Sequence, residues 1–257
     1  MTDSVLNFYD QMAEDYHLIF KDWQSAISWN GEILDRFIQT QRPHIGPLSL
    51  LDCSCGIGTQ AIALALHGYN VHATDLSPAS VERAAHEADT LGAKITVGVA
   101  DFRTLAAQVP GTFDIVLSCD NALPHLLDDD DLDKAARNMW LKLNRGGMLL
   151  ISIRDYDQLL EQRPSADPVR VFGVGENRRI IFQVWDWQDD APIYTVNLFI
   201  LRQVSGEWVT SVQTTQYRAL QRTELTQILA KAGFSSIQWH LPDQSSFYQP
   251  IVTAIKS

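Results

Sequence analysis

The sequence predicts an α/β fold in which a mainly parallel β-sheet carries helices on both faces. Three observations predict it: short apolar runs alternate with helical patterns, a glycine-rich turn follows the first run, and an acidic residue ends the second. A strand, a tight turn and a helix in this order form half of the nucleotide site of a doubly wound sheet. Ligands of such sheets bind beyond the carboxyl ends of the strands, so we expect the site there.

The first apolar run, residues 48–51, is short enough for a buried strand. Asp52 ends it, and Gly56 and Gly58 permit a tight turn into a helix that continues from Ala61. Because glycine lacks a Cβ, a ligand can lie close against the main chain of this turn. Free N–H groups at the start of the helix favour a polar or anionic group of that ligand.

The second run, residues 70–75, ends at Asp75 and is followed by Ser77 and Pro78, which suit the N-cap and the first position of a helix. An acidic residue roughly 20 positions after the glycines is placed to bind two ribose hydroxyls. Asp75 could instead only terminate a strand, but the upstream turn favours the ribose role. Asp52 would repel a pyrophosphate, whereas it would attract a sulfonium or an ammonium group.

The segment from Leu51 to Gly58 resembles the first motif of class I S-adenosylmethionine-dependent methyltransferases. The resemblance implies S-adenosylmethionine as cofactor and S-adenosylhomocysteine as its product. It also implies a Rossmann-like fold: a seven-stranded mixed sheet with helices on both faces, a helical N-terminal lid and an antiparallel β insertion. A nicotinamide dehydrogenase is disfavoured because Ala61 replaces the third glycine of the dinucleotide fingerprint.

Composition narrows the classes of function. A chain of 257 residues that is 46% hydrophobic and 20% charged suits a globular domain with a substantial core. The net charge of −11 disfavours a nucleic-acid partner. No apolar run reaches the roughly 18 residues of a membrane span, and the polar start lacks the pattern of a signal peptide. Three cysteines favour a reducing cytoplasm, and no Cys/His set has zinc-ligand spacing, so we expect no metal.

We expect one methyltransferase domain over residues 1–257. Its expected parts are a helical lid (1–45), a Rossmann-like core (46–160 and 218–257) and a β insertion over the site (161–217). Further core strands are predicted at 94–99, 111–118, 148–153, 236–240 and 250–255, with helices at 78–91, 132–143 and 222–233.

The predicted insertion has its own pattern. Three alternating runs, 179–187, 193–201 and 208–217, indicate an antiparallel meander that is buried on one face. Residues 161–177 are the least regular stretch of the chain.

The resemblance carries cofactor roles to several residues. Tyr9 and Tyr16 match the aromatic lid of the family, although core packing would also explain them. Asp101 would accept a hydrogen bond from the adenine amino group and Phe102 would cover the ring, with an Asx turn as the alternative. His125 would reach the amino-acid end of the cofactor, or is a structural loop histidine. The expected cofactor-binding residues are Tyr9, Tyr16, Asp52, Ser54, Gly56, Gly58, Asp75, Leu76, Asp101, Phe102, Cys119 and His125.

The loop after the fourth strand resembles the Gly-Asn-Ser-Phe-x-His-Leu segment of glycine and glycine/sarcosine N-methyltransferases. Asn121 and His125 match this segment, whereas Ala122, Leu123 and Pro124 depart from it. The resemblance implies that Asn121 helps to orient an amine substrate. The same enzymes carry an arginine for the cofactor carboxylate near position 26, where this chain has Ala26.

The end of the fifth strand, Ile153-Arg-Asp-Tyr-Asp157, resembles the His-Arg-Asn-Tyr-Asp segment in which those enzymes bind the substrate carboxylate. Arg154 matches the carboxylate-binding arginine, while Ile153 and Asp155 depart from the pattern. A buried arginine is costly unless paired, and its planar fork fits a bidentate carboxylate. The alternative is that Arg154 pairs with Asp155 or Asp157.

Tyr217 and Tyr248 match tyrosines that line the methyl-transfer chamber of the same enzymes, although either could be ordinary sheet packing. The expected catalytic set is therefore Asn121, Arg154, Tyr217 and Tyr248. We expect N-methylation of a small amine that carries a carboxylate, such as glycine or sarcosine, without a named general base. The alternatives are a methyltransferase for another small metabolite, with an N or O acceptor, and a cofactor-binding protein without turnover.

Overall fold

The computed structural model describes residues 3–257; residues 1 and 2, which open the polar N-terminal segment, lie outside the described residues. The strands are β1 (Ser49–Asp52), β2 (Asn70–Asp75), β3 (Ile95–Val99), β4 (Phe113–Ser118), β5 (Leu143–Ser152), β6 (Arg170–Phe172), β7 (Arg179–Trp187), β8 (Ile193–Val204), β9 (Glu207–Arg218), β10 (Phe234–His240) and β11 (Ile251–Lys256). The helices are α1 (Asp3–Met12), α2 (Trp23–Gln41), α3 (Thr59–Leu66), α4 (Pro78–Leu91), α5 (Leu105–Gln108), α6 (Asp129–Lys142), α7 (Tyr156–Gln162), α8 (Arg222–Ala232) and α9 (Pro242–Ser245).

The central sheet has seven strands in the order β10-β11-β5-β4-β1-β2-β3. The pairs from β5 to β3 are parallel, whereas β11 is antiparallel to both β5 and β10. The sheet is therefore mixed, which confirms the predicted fold class. The strand order reverses beside β1, so the ends of β1 and β4 border the crevice in which sheets of this type bind ligands.

Alternate residues of the central strands pack against helices on opposite faces. In β1, Leu50 belongs to a buried cluster with Phe37 of α2, while Leu51 belongs to another with Met139 of α6. Both leucines are fully buried. This two-sided burial explains why the strand reads as a continuous apolar run and not as an alternating one.

A second, antiparallel sheet with the order β6-β7-β8-β9 forms the insertion. Its strand β8 buries Tyr194, Val196, Leu198 and Ile200 at every second position. Helix α1 packs against this buried face, because Phe8 and Met12 share a cluster with Leu198 and Ile200. The insertion and the N-terminal helix thus cover the same region of the core.

Three predicted elements differ from the structure. The irregular stretch 161–177 contains β6, so the second sheet has four strands and not three; three residues are too few for an alternation to be read. Helix α7 follows directly after β5, where no helix was predicted. The sixth helix begins at Asp129, because the Asp128 side chain caps it by accepting a hydrogen bond from the Asp131 N–H. Within residues 3–257, no helix is both long and apolar enough to cross a bilayer.

Candidate active site

The two glycines of the turn between β1 and α3 serve different purposes. Both have left-handed backbones, with φ of 51° at Gly56 and 94° at Gly58. A Cβ at Gly58 would lie 2.8 Å from Cδ1 of Ile62, so this glycine permits the helix to pack closely. The space beside Gly56 is open, so a ligand can approach the main chain there.

Asp75 holds this turn from the end of β2. Its Oδ2 accepts a hydrogen bond from the Gly56 N–H at 2.8 Å, and its Oδ1 accepts one from the Ser77 N–H at 3.0 Å. Burial raises the pKa of Asp75, while the N–H groups of Ser77 and Gly56 oppose the rise. Each carboxylate oxygen retains a lone pair that could accept from a ligand hydroxyl.

A first cavity lies over the turn and has a free volume of about 50 Å³. Its wall includes the expected cofactor-binding residues Tyr9, Tyr16, Ser54, Gly56, Asp75, Leu76, Phe102, Cys119 and His125. Tyr9 comes from α1, and its hydroxyl lies 2.8 Å from Nε2 of His125. Sites for small ligands usually offer about 300–1,000 Å³, so α1 would have to move to admit a nucleoside.

Asp101 and Gly58 do not line either cavity that borders the strand ends. The Asp101 carboxylate is engaged by the Arg103 guanidinium, whose Nη2 lies 2.6 Å from Oδ2. Its Oδ1 also accepts a hydrogen bond from the Arg103 N–H, which is the Asx-type turn considered as an alternative. In this structure the Asp101 carboxylate is therefore turned to Arg103 and away from the first cavity, and its contact with adenine stays a prediction.

Asp52 is buried and only partly satisfied. Its Oδ1 accepts a hydrogen bond from the Ser54 N–H at 3.2 Å, whereas Oδ2 has no partner among residues 3–257. Burial raises the pKa of Asp52 to about 8, against the lowering effect of the Ser54 N–H. It does not line the first cavity itself, but its neighbours Cys53 and Ser54 do. A buried carboxylate oxygen without a donor fits a nearby positively charged ligand.

His125 is held neutral by its surroundings. It is buried, with its ring centroid 4.3 Å from that of Tyr217 and its Nδ1 3.3 Å from the Thr215 hydroxyl. Burial lowers the pKa of His125 to about 3. A neutral imidazole between two hydroxyls can position a ligand but carries no charge near neutral pH.

A second cavity of about 770 Å³ adjoins the first. Asn121, Arg154, Tyr217 and Tyr248, the expected catalytic set, all line it. Tyr9, Tyr16 and Asp120 line both cavities. The fold thus brings together residues that are far apart in the sequence: two that follow the ends of β4 and β5, one in β9 and one in the C-terminal region. Ala26 also lines the second cavity, whereas Arg36 pairs with Glu32 on the surface.

Arg154 has only neutral partners. Its Nη1 donates to the Tyr194 hydroxyl at 3.0 Å and its Nη2 donates to Oε1 of Gln183 at 3.1 Å. Its guanidinium carbon lies 5.0 Å from the ring centroid of Trp185 and 5.3 Å from that of Tyr217. The remaining N–H groups are free for an anion.

The two aspartates that could neutralise Arg154 are paired elsewhere. Arg222 lies 3.1 Å from Asp155 through Nη1 and 2.6 Å from Asp157 through Nε. No carboxylate of residues 3–257 forms an ion pair with Arg154. The structure therefore does not contain the alternative arrangement, in which Arg154 pairs with Asp155 or Asp157.

Asn121 has a left-handed backbone with φ of 69°, and its N–H donates to the Ser152 carbonyl. Its Oδ1 accepts a hydrogen bond from the Arg154 N–H at 3.1 Å, and its buried Nδ2 has no hydrogen-bond partner among the described residues. The free group of Asn121 is therefore a donor, which suits an oxygen of a ligand and not an ammonium.

Sequence reasoning overlooked Asp120, Gln60, Gln183 and Tyr194. Gln183 and Tyr194 orient Arg154 from the insertion, and only the folded chain brings them there. Asp120 left a signal in the sequence, because it occupies the glycine position of the Gly-Asn-Ser-Phe-x-His-Leu segment. The described residues contain no group of three or more His, Cys, Asp or Glu side chains arranged to hold a metal ion.

Residues 50–147 match the family model described as a methyltransferase domain. The chain is similar to the glycine/sarcosine N-methyltransferase of Parasynechococcus marenigrum, with 33% identity over 156 residues that cover 59% of this chain and 55% of that protein. The corresponding enzyme of Halorhodospira halochloris is 27% identical over 156 residues, which cover 59% of this chain and 58% of that one. The matched region spans a little over half the length of these curated relatives.

Solved structures agree on the fold. Streptomyces venezuelae DesVI superimposes with a TM-score of 0.78 at 14% identity, covering 95% of this chain and 98% of that one. CalS10, an amino pentose methyltransferase from Micromonospora echinaspora solved with S-adenosylmethionine, gives a TM-score of 0.71 at 19% identity and covers 90% and 92%. The family match over residues 50–147 and the mixed seven-stranded sheet together show a methyltransferase domain match in this region and a Rossmann-like fold of the class I type.

Proposed function

We propose that the protein transfers a methyl group from S-adenosylmethionine to the nitrogen of a small amine that carries a carboxylate. Glycine and sarcosine are the first candidates, because the similar proteins of known sequence are named for these substrates. The observation that carries the proposal is the guanidinium of Arg154, which lines a cavity beside the expected cofactor position without a carboxylate partner among the described residues.

The first cavity suits the cofactor. Asp75 would bind the ribose, Gly56 would let the nucleoside approach the main chain, and the unpartnered oxygen of Asp52 would favour a positive group. Phe102 would cover the adenine. When bound, S-adenosylmethionine supplies a methyl group on a positively charged sulfur, so no further activation of that group by the protein is needed.

The second cavity would bind the carboxylate end of the substrate. Arg154 retains free N–H groups after donating to Tyr194 and Gln183, and the Nδ2 donor of Asn121 is also free. Both are donors, so they fit the two oxygens of one carboxylate. The expected role of Asn121 thereby shifts from the amine of the substrate to its carboxylate.

Beyond binding, the protein would contribute to the reaction by orienting the two reactants and by shielding them from water. Tyr217 and His125 are buried beside Arg154, so they would help to exclude water from the space where the amine would meet the cofactor. Holding two reactants in contact can lower a barrier by roughly 7–11 kcal/mol in favourable cases. Residues 1–45 as lid, 161–217 as insertion and the rest as core remain our proposed division of the chain.

The test is a panel of amines in which each compound has a partner without the carboxylate, such as glycine with methylamine and sarcosine with dimethylamine. Release of S-adenosylhomocysteine is measured. Within each pair, we expect kcat/KM to be about 10–100-fold higher for the compound with the carboxylate, because one or two charged hydrogen bonds contribute about this much. Equal rates within every pair would reject the proposal.

A second candidate is N-methylation of a larger amine that also carries a carboxylate. The volume of the second cavity, about 770 Å³, favours it, because glycine would fill only a small part of that space. The same panel, extended to α-amino acids with longer side chains, separates the two candidates by their kcat/KM values.

A further inference from the structure

We propose that Asp120 is the carboxylate that receives the substrate's ammonium group and accepts its proton before methyl transfer. The inference rests on the function proposed above and completes it, because Arg154 and Asn121 account for only the carboxylate end of the substrate. It makes Asp120 a catalytic residue, in contact with the reacting nitrogen.

The position of Asp120 supports this role. It follows directly after β4, is half-buried, and is one of the residues that line both cavities. Its Oδ2 accepts a hydrogen bond from Nε2 of Gln60 at 2.7 Å, and its Oδ1 accepts one from the Tyr248 hydroxyl. These two donors orient the carboxylate, yet each oxygen keeps a second acceptor position.

The backbone of Asp120 is strained. Its φ is 59°, a left-handed conformation that favours glycine, and Asn121 after it has φ of 69°. Such conformations typically cost about 1–3 kcal/mol for each non-glycine residue and concentrate at functional sites. The Asp120 N–H donates to Oγ of Ser152 at 2.9 Å, which holds the strained peptide in place. A glycine at this position would adopt the same conformation without strain. The chain carries an aspartate there despite the conformational cost, which indicates a role for its side chain.

Asp120 differs from the other carboxylates of the second cavity because it has no positively charged partner among the described residues. Asp155 pairs with Arg222, and Asp167 pairs with Arg170 at 3.4 Å. Asp120 has only neutral donors among residues 3–257. Burial raises the pKa of Asp120, and Tyr248 and Gln60 oppose the rise. A half-buried carboxylate with no cation beside it fits a ligand that brings one, and a zwitterionic amine brings an ammonium for Asp120 and a carboxylate for Arg154.

The chemical step follows from these contacts. An amine arrives as an ammonium, because a free α-amino group has a pKa near about 8. One N–H proton passes to the Asp120 carboxylate, and the freed lone pair forms the new C–N bond while the bond between carbon and sulfur breaks with its electrons remaining on sulfur. The methylated product leaves as an ammonium, and Asp120 returns its proton to water. The balance is one proton released for each methyl group transferred.

The experiment compares Asp120→Asn and Asp120→Gly with the wild type, and Asp157→Asn serves as the matched control. Asp157 carries the same chemical change outside both cavities. Binding of glycine and of acetate, which lacks only the amino group, is measured by calorimetry in the presence of S-adenosylhomocysteine. Turnover of the best carboxylate-bearing amine is measured in parallel.

We expect the wild type and Asp157→Asn to bind glycine at least about 10-fold more tightly than acetate, as one charged hydrogen bond provides. Both Asp120 variants should bind the two compounds equally, and kcat/KM should fall by about 10²–10⁴-fold, as for loss of a group that accepts a proton. The affinity of both variants for S-adenosylhomocysteine should stay within about 3-fold of the wild-type value, because Asp120 is proposed to contact the amine and not the cofactor.

The acid limb of the wild-type profile of kcat/KM against pH should report the ionisation of Asp120; in both variants it should move up to the ionisation of the amine itself, near about 8. Other titratable or charged groups act on the same region, namely Tyr16, Asp52, Cys119, Arg154 and Tyr248. Asp120→Asn keeps these groups and the shape of the side chain, so a limb that moves to the pKa of the amine identifies Asp120. If Asp120→Asn does not fold, Asp120→Gly decides, because glycine adopts φ of 59° without strain.

The outcomes are distinct. Retained preference for glycine and retained turnover in either folded variant would overturn the role of Asp120 while the proposed function stands. Loss of S-adenosylhomocysteine binding in Asp120→Gly would also overturn it, since the carboxylate would then serve the cofactor. A wild type that methylates no carboxylate-bearing amine would overturn both proposals.

Discussion

Nε of Arg222, the first residue of α8, lies 2.6 Å from Oδ2 of Asp157 in α7. The same guanidinium reaches Asp155 at 3.1 Å. One arginine therefore neutralises both carboxylates that follow Arg154 in the sequence. The consequence is that the guanidinium of Arg154 enters the second cavity with its charge uncompensated by the neighbouring chain.

Replacing Arg154 by lysine keeps the charge but removes the planar fork and its bonds to Tyr194 and Gln183. We expect kcat/KM for a carboxylate-bearing amine to fall by about 10–100-fold, because one or two charged hydrogen bonds are lost. The affinity for S-adenosylhomocysteine, measured by calorimetry, should change little. An equal loss of amine and cofactor binding would contradict the assigned role.

Asp75→Ala tests the cofactor side. It removes the expected ribose contact and leaves the N–H groups of Gly56 and Ser77 without their acceptor. We expect S-adenosylhomocysteine to bind at least about 10-fold more weakly, and the free energy of unfolding to fall by about 1–3 kcal/mol, because the buried Ser77 N–H and the partly buried Gly56 N–H lose their acceptor. Calorimetry and denaturant unfolding measure the two effects. Unchanged cofactor affinity would reject the ribose assignment.

Asp52 makes stability depend on pH. Its pKa is about 8 in the folded protein but about 3.9 in an unfolded chain, so the folded state holds a proton that the unfolded state releases. This contribution to the free energy of unfolding is complete below pH 4 and is lost as pH rises toward 8.

The variant Asp52→Asn lacks this titration. Between pH 5 and pH 8, the free energy of unfolding of Asp52→Asn relative to the wild type should rise by on the order of 2–4 kcal/mol. Urea unfolding at the two pH values, without cofactor, checks it. A constant difference between the two proteins at both pH values would show that Asp52 ionises normally.

Asp10 connects the N-terminal helix to the start of α4. Its Oδ1 accepts a hydrogen bond from the Ser77 hydroxyl and lies 3.4 Å from the Ala79 nitrogen. Because the first cavity offers only about 50 Å³, α1 has to move before a cofactor enters. Asp10→Asn should weaken the closed position and increase both the association and dissociation rates of S-adenosylhomocysteine by several-fold, because the amide oxygen can still accept the hydrogen bonds but carries no charge.

Stopped-flow fluorescence of the protein measures these rates. Gln11→Ala is the control, since Gln11 is the exposed neighbour of Asp10 on the same helix and lines neither cavity. Rates that stay at the wild-type values in Asp10→Asn would indicate that this contact does not limit entry.

Much of the fold could be predicted because its signals are local. The run before Asp52 and the run before Asp75 are buried strands, and Ser77 caps α4 as its position before Pro78 indicated. The predictions failed where a segment is short or has no period of its own. Strand β6 has three residues and exists through pairing with β7.

The candidate site was predictable to the extent that it lies at strand ends. Asn121, Arg154, Tyr217 and Tyr248 line one cavity because parallel strands end at the same edge and the insertion folds over that edge. Asp101 also follows a strand, but it lines neither cavity, and Arg103 two residues later binds its carboxylate. No periodic pattern in the sequence indicates this local ion pair.

The sequence by itself determined most of the strands and helices, the glycine turn and the acidic residue that ends the second strand, because these depend on the conformational preferences of neighbouring residues. Tertiary structure alone decided which charges are neutralised: Arg222 takes Asp155 and Asp157, while Arg154 and Asp120 are left with neutral partners across two joined cavities. The physical reason is that the free energy of a charge depends on its burial and on the groups within a few ångströms. In a folded chain, those groups come from distant parts of the sequence.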